Sequence, residues 1–223
     1  HDELKGCKHM GNGRLQGKTA LVTGSGQGIG EGIAKVFASE GAEVVVATRT
    51  AASGKTTVDD ITAAGGLAIL VPTDVQHQGD IDNAIDVTIK TYGKLDIMVH
   101  NAASFAGGMI EDYAPMDLED SLSTNLKAAF SLAKASIPHM KELGGGRLLY
   151  TSSVTGPRVA MAGTSYYAAS KGGLNGFIKT AGLELAPLRI TVNGVEPGFI
   201  KTPAIDLLTD EEGQKQMAKY IPA

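Results

Sequence analysis

Short runs of apolar, often β-branched residues alternate along the chain with longer stretches in which apolar residues recur at helical spacing. The short runs have the length of buried strands, and they lie at residues 19–23, 43–48, 68–71, 95–100, 147–152 and 189–196. The helical stretches lie at residues 30–39, 53–64, 80–92, 117–143 and 164–185. Such regular alternation is typical of strand and helix units that build a parallel sheet.

The number and order of these elements predict an α/β fold. Six strands need five crossovers, and because such connections are right-handed, helices cover both faces of a doubly wound parallel sheet in three αβα layers. No internal repeat or low-complexity tract interrupts the pattern, so we expect a single domain over residues 15–223. Residues 1–14 have no apolar period, which predicts a flexible leader or the remnant of a tag.

Composition and charge narrow the class of partner. Of the 223 residues, 43% are hydrophobic and 20% charged, as in globular proteins. The formal net charge of -4, without a basic cluster, argues against nucleic acid, and no apolar run is long enough to cross a membrane. The only cysteine, Cys7, excludes an internal disulfide and a Cys-rich zinc site, and the histidines show no metal-ligand spacing. We therefore expect a cytoplasmic protein without a metal.

A glycine-rich turn follows the first predicted strand. The segment reads Thr23-Gly-Ser-Gly-Gln-Gly-Ile-Gly30, and its glycines fit the spacing Gly-x-x-x-Gly-x-Gly. Glycines let such a turn close and let the backbone approach a pyrophosphate, whose charge the N-terminus of the next helix stabilises. A purely structural turn is the alternative. If the turn binds a dinucleotide, the expected contacts are Gly24, Ser25, Gln27, Gly28, Ile29 and Gly30.

The end of the second predicted strand bears on the choice of cofactor. Many NAD sites have an acidic residue here for the ribose 2′-hydroxyl, whereas this chain reads Ala47-Thr48-Arg49. Arg49 can pair with a 2′-phosphate through charge-assisted hydrogen bonds, and a solvated arginine is the alternative. The sequence therefore favours NADP(H) over NAD(H). After the third strand, Asp74 is expected either to cap a turn or to accept a hydrogen bond from the adenine amino group.

Tyr167 and Lys171 are four residues apart in a predicted helix, so their side chains share one face about a turn apart. A phenol has a pKa near ~10, and a neighbouring buried cation stabilises its phenolate. A tyrosine tuned in this way can exchange a proton with a carbonyl or alcohol. The pair indicates general acid–base chemistry, although the same spacing also occurs by chance on solvated helices.

Taken together, these motifs resemble the short-chain dehydrogenase/reductase family from Leu15 to about Pro203. They occur in the family's order: the glycine turn, Asp74-Val75, Asn101-Ala-Ala103, Asn125, Ser152-Ser153, Tyr167 with Lys171, and Pro197-Gly198 with Thr202. The resemblance implies a Rossmann-like, single-domain oxidoreductase that moves hydride between a nicotinamide and a carbonyl or secondary alcohol. Family members commonly form tetramers, so we expect a homo-tetramer or homo-dimer.

The resemblance also implies roles for individual residues. Tyr167 would be the general acid in reduction and the general base in oxidation, and Lys171 would lower the phenol pKa and hold the nicotinamide ribose. Ser153 would hydrogen-bond the substrate oxygen, and Asn125 would steady a water that links Lys171 to solvent. Further cofactor contacts are implied for Asp74, Val75, Asn101, Ala102, Pro197, Gly198, Ile200 and Thr202.

The chain departs from the family pattern in three ways. His100 occupies the position of the first of two asparagines, and Ala103 that of a glycine, so we expect an altered loop around Asn101. The sequence ends at Ala223, before the strand and helix with which family members complete the sheet and a subunit interface. Either that part lies outside this sequence or the sheet edge is covered differently.

We expect an NADP(H)-dependent carbonyl reductase of a ketone or 3-oxoacyl-type substrate. An NAD-dependent alcohol or sugar dehydrogenase is the nearest alternative, and a non-catalytic dinucleotide-sensing protein is the alternative from another class. Mostly apolar residues are expected around the substrate, namely Phe105, Met109, Met161, Tyr166 and residues 199–208. Their character favours a hydrophobic small molecule. Residues 204–220 are expected to form a lid.

Overall fold

The computed structural model describes residues 13–203, 210, 212 and 213. Within them lies a six-stranded sheet in the order β3-β2-β1-β4-β5-β6, and every neighbouring pair is parallel. The strands are β1 Thr19–Thr23, β2 Glu43–Thr48, β3 Leu67–Pro72, β4 Ile97–His100, β5 Gly146–Thr151 and β6 Ile190–Val195. The strand order reverses between β1 and β4, which is the switch point of a doubly wound sheet.

Helices connect successive strands. The α-helices of the described part are α1 Gly28–Ser39, α2 Ala51–Ala63, α3 Gln78–Tyr92, α4 Pro115–Leu122, α5 Ala128–Glu142 and α6 Ser165–Leu185. Short 3-10 helices lie at Ile110–Asp112 and Ala186–Leu188. Each predicted helical stretch therefore contains helix, with boundaries that differ from the expected ones by a few residues.

Both faces of the sheet are buried because successive strand residues point to opposite sides. In β1, Leu21 belongs to the core formed with α3, α5 and α6, whereas Ala20 and Val22 belong to the core formed with α1 and α2. All three side chains are fully buried. The predicted Rossmann-like α/β fold with three αβα layers is confirmed.

The prediction of one helical stretch over residues 117–143 needs a correction, because two α-helices lie there. α4 and α5 are joined by a π-helical turn at Ser123–Lys127, which contains Asn125. Apolar spacing does not separate an α turn from a π turn, since the chain continues in the same direction with nearly the same period. Such widened turns are frequent at functional sites.

The predicted leader and lid lie largely outside the described residues. At the N-terminal side, Arg14 was assigned to the leader but is attached to the end of α1. Its guanidinium pairs with Glu40 at 2.9 Å, and its backbone N–H donates to the same carboxylate at 2.9 Å. The attached part of the chain therefore begins before residue 15. At the other side, β6 forms an edge of the described sheet.

Candidate active site

The carboxyl ends of the strands border a cavity of about 620 Å³. It lies across the switch point between β1 and β4, where doubly wound sheets bind ligands. Most of the predicted site residues line it: Gly24, Gln27, Gly28, Ile29, Arg49, Asp74, Val75, Asn101, Ala102, Ser153, Tyr167, Lys171, Pro197, Gly198, Ile200 and Thr202. The predicted nucleotide contacts and acid–base groups thus border the same space.

The turn after β1 has a backbone that suits glycine. Gly24 and Gly28 have φ angles of 64° and 61°, in the left-handed region. A β-carbon on Gly24 would lie 2.7 Å from the Cα of Ala102, so the turn packs directly on the loop after β4. α1 begins at Gly28, and the preceding Gln27 makes no side-chain capping bond to it, which leaves N–H groups of the first turn for an anion. These features fit the pyrophosphate of a dinucleotide.

Two residues predicted to contact the cofactor lie behind the cavity wall instead. The Ser25 side chain is buried, and its hydroxyl donates to the carbonyl of Val22 at 2.6 Å. Gly30 is also buried, and a β-carbon there would lie 2.3 Å from the carbonyl oxygen of Gly24. Neither residue lines the cavity. As a correction, Ser25 and Gly30 shape the turn, and the residues around them face the ligand space.

Beyond β2, Arg49 extends from the wall of the cavity with two thirds of its side chain exposed. Its Nη1 lies 3.9 Å from Oδ2 of Asp74. Asp74 accepts a hydrogen bond from the backbone N–H of Gln76 at 3.0 Å. Of the two roles expected for Asp74, this bond corresponds to the capping of a turn. Thr50 and Ser53 also line the cavity, although the sequence analysis did not single them out. Their position shortly after the second strand could have indicated it.

At the other end of the cavity, α6 and the end of β5 bring three predicted residues together. Lys171 Nζ lies 5.6 Å from the centre of the Tyr167 ring and donates to the Thr151 carbonyl at 2.8 Å. The Ser153 hydroxyl hydrogen-bonds with the Tyr167 phenol. Phe105 stacks on the Tyr167 ring at 5.4 Å between ring centres. A phenol, a hydroxyl and an ammonium therefore meet beside an aromatic wall.

Burial dominates the protonation of this cluster. It lowers the pKa of Lys171 to about 8. It also raises the pKa of Tyr167, and the hydrogen bond with Ser153 acts in the opposite direction. The net shift of the phenol pKa is therefore upward in this structure, opposite to the lowering expected from Lys171, because loss of hydration has the larger effect. A neutral phenol beside a lysine is arranged to donate a proton.

Asn125 lies behind these groups and clamps the loop after β4. Its Oδ1 accepts the backbone N–H of Ser104 at 2.8 Å, and its Nδ2 donates to the Ser104 carbonyl at 2.9 Å. Nδ2 also donates to the Ser170 hydroxyl at 2.9 Å. Asn125 is fully buried and does not line the cavity. Sequence reasoning missed Ser170, although it lies directly before Lys171.

His100 and Tyr166 are structural residues in this arrangement. Burial, and then the charge of Lys171, lower the pKa of His100 to about 3, so its imidazole is neutral. Its Nδ1 lies 3.3 Å from the Thr23 hydroxyl. Tyr166 is buried, and its phenol oxygen accepts the backbone N–H of Ala114 at 3.0 Å. Neither Tyr166 nor Met109 lines the cavity, whereas Phe105, Met161, Phe199 and Ile200 do.

Two features are absent from the described residues, 13–203 with 210, 212 and 213. No cluster of histidine, cysteine, aspartate or glutamate in that part of the chain has the geometry to hold a metal ion. No helix there combines the length and the apolar character needed to cross a membrane.

A dinucleotide-sized cavity at the switch point of a doubly wound sheet, with serine, tyrosine and lysine at one end, defines an NAD(P)-dependent dehydrogenase or reductase. Residues 18–213 match the family model for short chain dehydrogenase. The chain belongs to the short-chain dehydrogenase/reductase family.

Relatives and solved structures cover most of the chain. The 3-oxoacyl-[acyl-carrier-protein] reductase FabG of Escherichia coli (strain K12) is 34% identical over 209 residues, which are 94% of this chain and 84% of that protein. A 7α-hydroxysteroid dehydrogenase, solved with NADH and 7-oxo glycochenodeoxycholic acid, has 32% identity and a TM-score of 0.90 over 95% of this chain and 82% of that one. A short chain dehydrogenase from Burkholderia cenocepacia J2315 in complex with NADP has 39% identity and a TM-score of 0.81 over 85% and 77%.

Proposed function

We propose that this protein is an NADP(H)-dependent reductase that transfers hydride between the cofactor and a ketone or 3-oxoacyl-type substrate. The proposal depends on one observation above all: Ser153, Tyr167 and Lys171 line the same cavity as the glycine turn after β1. The cavity therefore joins a site suited to phosphates to a site suited to proton transfer. Within this proposal, residues 15–223 form one NAD(P)-binding catalytic domain.

The bound nicotinamide supplies hydride for reduction and accepts it in oxidation. Tyr167 gives a proton to the substrate oxygen in reduction, and burial keeps the phenol in the neutral form that can donate. Ser153 donates a hydrogen bond to the same oxygen, where negative charge develops. The Ser153 oxygen accepts the backbone N–H of Thr155 at 3.1 Å, and its own proton, which faces the Tyr167 phenol in this structure, is the one it would offer to the substrate oxygen.

Lys171 and Asn125 support this chemistry in different ways. An ammonium has three N–H donors, and Lys171 uses one on the Thr151 carbonyl, so others remain for the hydroxyls of the nicotinamide ribose. The side chain of Asn125 is committed to Ser104 and Ser170. Asn125 therefore supports the site through its hold on the loop after β4 and on α6, and its side chain has little capacity left for a water that links Lys171 to solvent.

The preference for NADP(H) is based on Arg49. Its guanidinium lines the cavity, is mostly exposed and has Asp74 as a distant partner at 3.9 Å, so it can turn toward a 2′-phosphate. Thr50 adds a hydroxyl nearby, and the Ser53 hydroxyl, which donates to the Thr50 carbonyl at 3.0 Å, lies in the same part of the cavity wall. One solved relative carries NADP and another NADH, so the family alone does not decide the choice.

Fluorescence titration with NADPH and NADH tests the cofactor choice. We expect NADPH to bind at least ~10-fold more tightly, and Arg49→Ala to remove most of that difference while NADH affinity changes little. Equal or tighter binding of NADH by the wild-type protein would reject the role of Arg49 and favour an NAD-dependent alcohol or sugar dehydrogenase.

The substrate end of the cavity favours an apolar molecule. Its side chains include Phe105, Val159, Met161 and Phe199. FabG is a 3-oxoacyl-[acyl-carrier-protein] reductase, and the hydroxysteroid dehydrogenase was solved with 7-oxo glycochenodeoxycholic acid, so carbonyls of both types belong in a test. We expect consumption of NADPH with at least one hydrophobic ketone or 3-oxoacyl thioester. Tight cofactor binding without turnover of any carbonyl in the panel would instead support a dinucleotide sensor.

The same proposal includes a homo-tetramer or homo-dimer in the cytoplasm, as is common in the family. Large apolar side chains on α5 and α6, among them Phe130 and Leu183, are exposed in the single chain and would be covered by a second copy. Light scattering of the purified protein tests the assembly, and a monomer at micromolar concentration would reject it.

A further inference from the structure

A chain of side-chain hydrogen bonds joins the two loops that flank the catalytic cluster. We call it the loop strap and define it as Ser152, Arg158, Asn175 and Glu196. The Ser152 hydroxyl donates to Asn175 Oδ1 at 2.6 Å, and Asn175 Nδ2 donates to Glu196 Oε1 at 2.5 Å. Arg158 Nε donates to the second carboxylate oxygen of Glu196 at 2.7 Å. Both oxygens of one carboxylate are therefore bonded to different parts of the chain.

Each member of the loop strap is close in sequence to a residue of the site. Ser152 precedes Ser153, and Glu196 precedes Pro197, the first residue of the loop proposed to hold the nicotinamide. Asn175 lies on α6, four residues after Lys171, so it shares the helix face that carries the acid–base pair. The strap thus ties the end of β5, the end of β6 and α6 together.

Arg158 connects this network to the substrate side of the cavity. It lies in a tight turn in which the backbone N–H groups of Arg158 and Val159 both donate to the Val154 carbonyl, at 2.9 and 3.0 Å. Gly156, with a φ of 98°, is part of the turn. Val159 and, a little further on, Met161 line the cavity. A fixed Arg158 therefore fixes part of the substrate wall.

Backbone hydrogen bonds also join the segments that the loop strap connects. The Ser152 N–H donates to the Val195 carbonyl at 2.8 Å, and the Val154 N–H donates to the Pro197 carbonyl at 3.1 Å. These bonds continue the ladder between β5 and β6 on both sides of Ser153. Glu196 lies between the two residues whose carbonyls accept these bonds. Hydrogen bonds to its side chain can therefore hold the loop that starts at Pro197, in addition to the backbone bonds.

We propose that Glu196 is a positioning residue that, with Arg158 and Asn175, sets the place of the cofactor loop at residues 197–202 relative to the catalytic face of α6. Arg158, Asn175 and Glu196 do not line the cavity, so they act through Pro197 and Ser153 and not by touching cofactor or substrate. The inference rests on the proposed function, in which this loop holds the nicotinamide half of the cofactor.

The ionisation of Glu196 is compatible with this positioning role. The hydrogen bonds from Arg158 and Asn175 hold the pKa of Glu196 below its ordinary value, so its carboxylate stays ionised at neutral pH. The Arg158 guanidinium is more than two thirds exposed, so salt screens its ion pair with Glu196 and the pair alone is worth little. The proposal therefore predicts modest effects that are confined to one half of the cofactor.

The test compares binding of the whole cofactor with binding of a fragment that lacks nicotinamide. NADPH or NADH, whichever the wild-type protein binds more tightly, is titrated by its fluorescence, and 2′-phospho-ADP-ribose or ADP-ribose is titrated by calorimetry. Arg158→Met removes the ion pair, and Glu196→Gln removes the charge while keeping an acceptor for Asn175. We expect both variants to bind the whole cofactor ~2–5-fold more weakly and the fragment with unchanged affinity.

Two controls complete the test. Lys18→Met removes a comparable ion pair, with Asp96 at 2.9 Å, at the amino ends of the central strands β1 and β4, and should leave both affinities unchanged. Arg158→Lys restores a cation and should recover part of the lost affinity. Wild-type affinity of Arg158→Met and Glu196→Gln for the whole cofactor, or an equal loss for the fragment, would overturn the proposal. Since these titrations need no substrate, a wild-type protein without turnover would count against the proposed function and not against the strap.

Discussion

Among the individual residues of the acid–base cluster, Lys171 lies in an environment very different from water. It is almost fully buried, yet its ammonium remains bonded to the Thr151 carbonyl. Burial lowers its pKa to about 8 from the ordinary 10.5. Folding therefore destabilises the charged form of the Lys171 side chain. The proposed chemistry uses this charged form as a hydrogen-bond donor beside Tyr167.

This lowered pKa has a measurable consequence for stability. Between about pH 8 and 10 the unfolded chain retains the Lys171 proton and the folded protein releases it, so raising the pH favours the folded state. We expect the free energy of unfolding of the wild type to rise relative to that of Lys171→Met by up to about 3 kcal/mol over this range. Urea unfolding of both proteins at about pH 7 and about pH 10 measures the difference, and a constant difference would argue against a buried, charged lysine.

The sequence predicted most of the residues that border the cavity but not their electrostatics. The spacing of Tyr167 and Lys171 placed both on one face of α6, because helix geometry fixes that relation. Spacing carries no information about how much water reaches a phenol. The raised pKa of Tyr167 depends on burial by parts of the chain far away in sequence, Phe105 among them.

Among the elements, α1 depends on how closely the glycine turn packs. A β-carbon at Gly30 would lie 2.3 Å from the Gly24 carbonyl oxygen and 2.4 Å from Nδ2 of Asn101. A β-carbon at Gly32, two residues further along the same helix, would meet nothing within 4 Å. The two glycines therefore provide a matched pair.

We expect Gly30→Ala to lower the free energy of unfolding by about 2–3 kcal/mol and to weaken dinucleotide binding at least ~10-fold, because the turn must open to admit the methyl group. Gly32→Ala should raise stability by up to about 1 kcal/mol, as alanine favours helix, and leave binding unchanged. Urea unfolding and cofactor titration measure both effects. Wild-type binding by Gly30→Ala would mean that this packing is irrelevant to the site.

The elements themselves were largely readable from the sequence. Strands such as Glu43–Thr48 are buried on both faces and therefore appear as continuous apolar runs. The π-helical turn around Asn125 was not readable, because it forms where one side chain bonds to Ser104 and Ser170 across the fold. The loop strap was missed for the same reason, since Arg158 and Glu196 are paired only once β5 and β6 lie side by side.

For the whole molecule, the topology brings distant parts of the chain to one cavity. The turn at Gly24 and the helix carrying Tyr167 are far apart in sequence, but parallel strands direct their carboxyl ends to the same edge. This rule let the sequence predict a shared site without any knowledge of distances. A ligand that spans the cavity should therefore stabilise the domain as a unit.

Cofactor binding should raise the melting temperature. At a concentration about 100 times its dissociation constant, a ligand specific for the folded state adds about 2.7 kcal/mol. For a domain of this size, that corresponds to roughly 5–10 °C. We expect scanning calorimetry to give this shift with NADPH, and a smaller shift with NADH at the same concentration. An unchanged melting temperature with both cofactors at millimolar concentration would contradict a dinucleotide site.

In the proposed mechanism, the phenol of Tyr167 moves the proton while hydride moves to or from the substrate. Steady-state reduction of the best carbonyl by Tyr167→Phe and Tyr166→Phe, measured side by side, tests it most directly, because the neighbouring Tyr166 hydroxyl is bonded to Ala114 away from the cavity. We predict that Tyr167→Phe loses at least ~100-fold in kcat with nearly unchanged cofactor affinity, while Tyr166→Phe stays within about threefold of the wild type. Turnover by Tyr167→Phe at the wild-type rate would show that a group other than the Tyr167 phenol moves the proton.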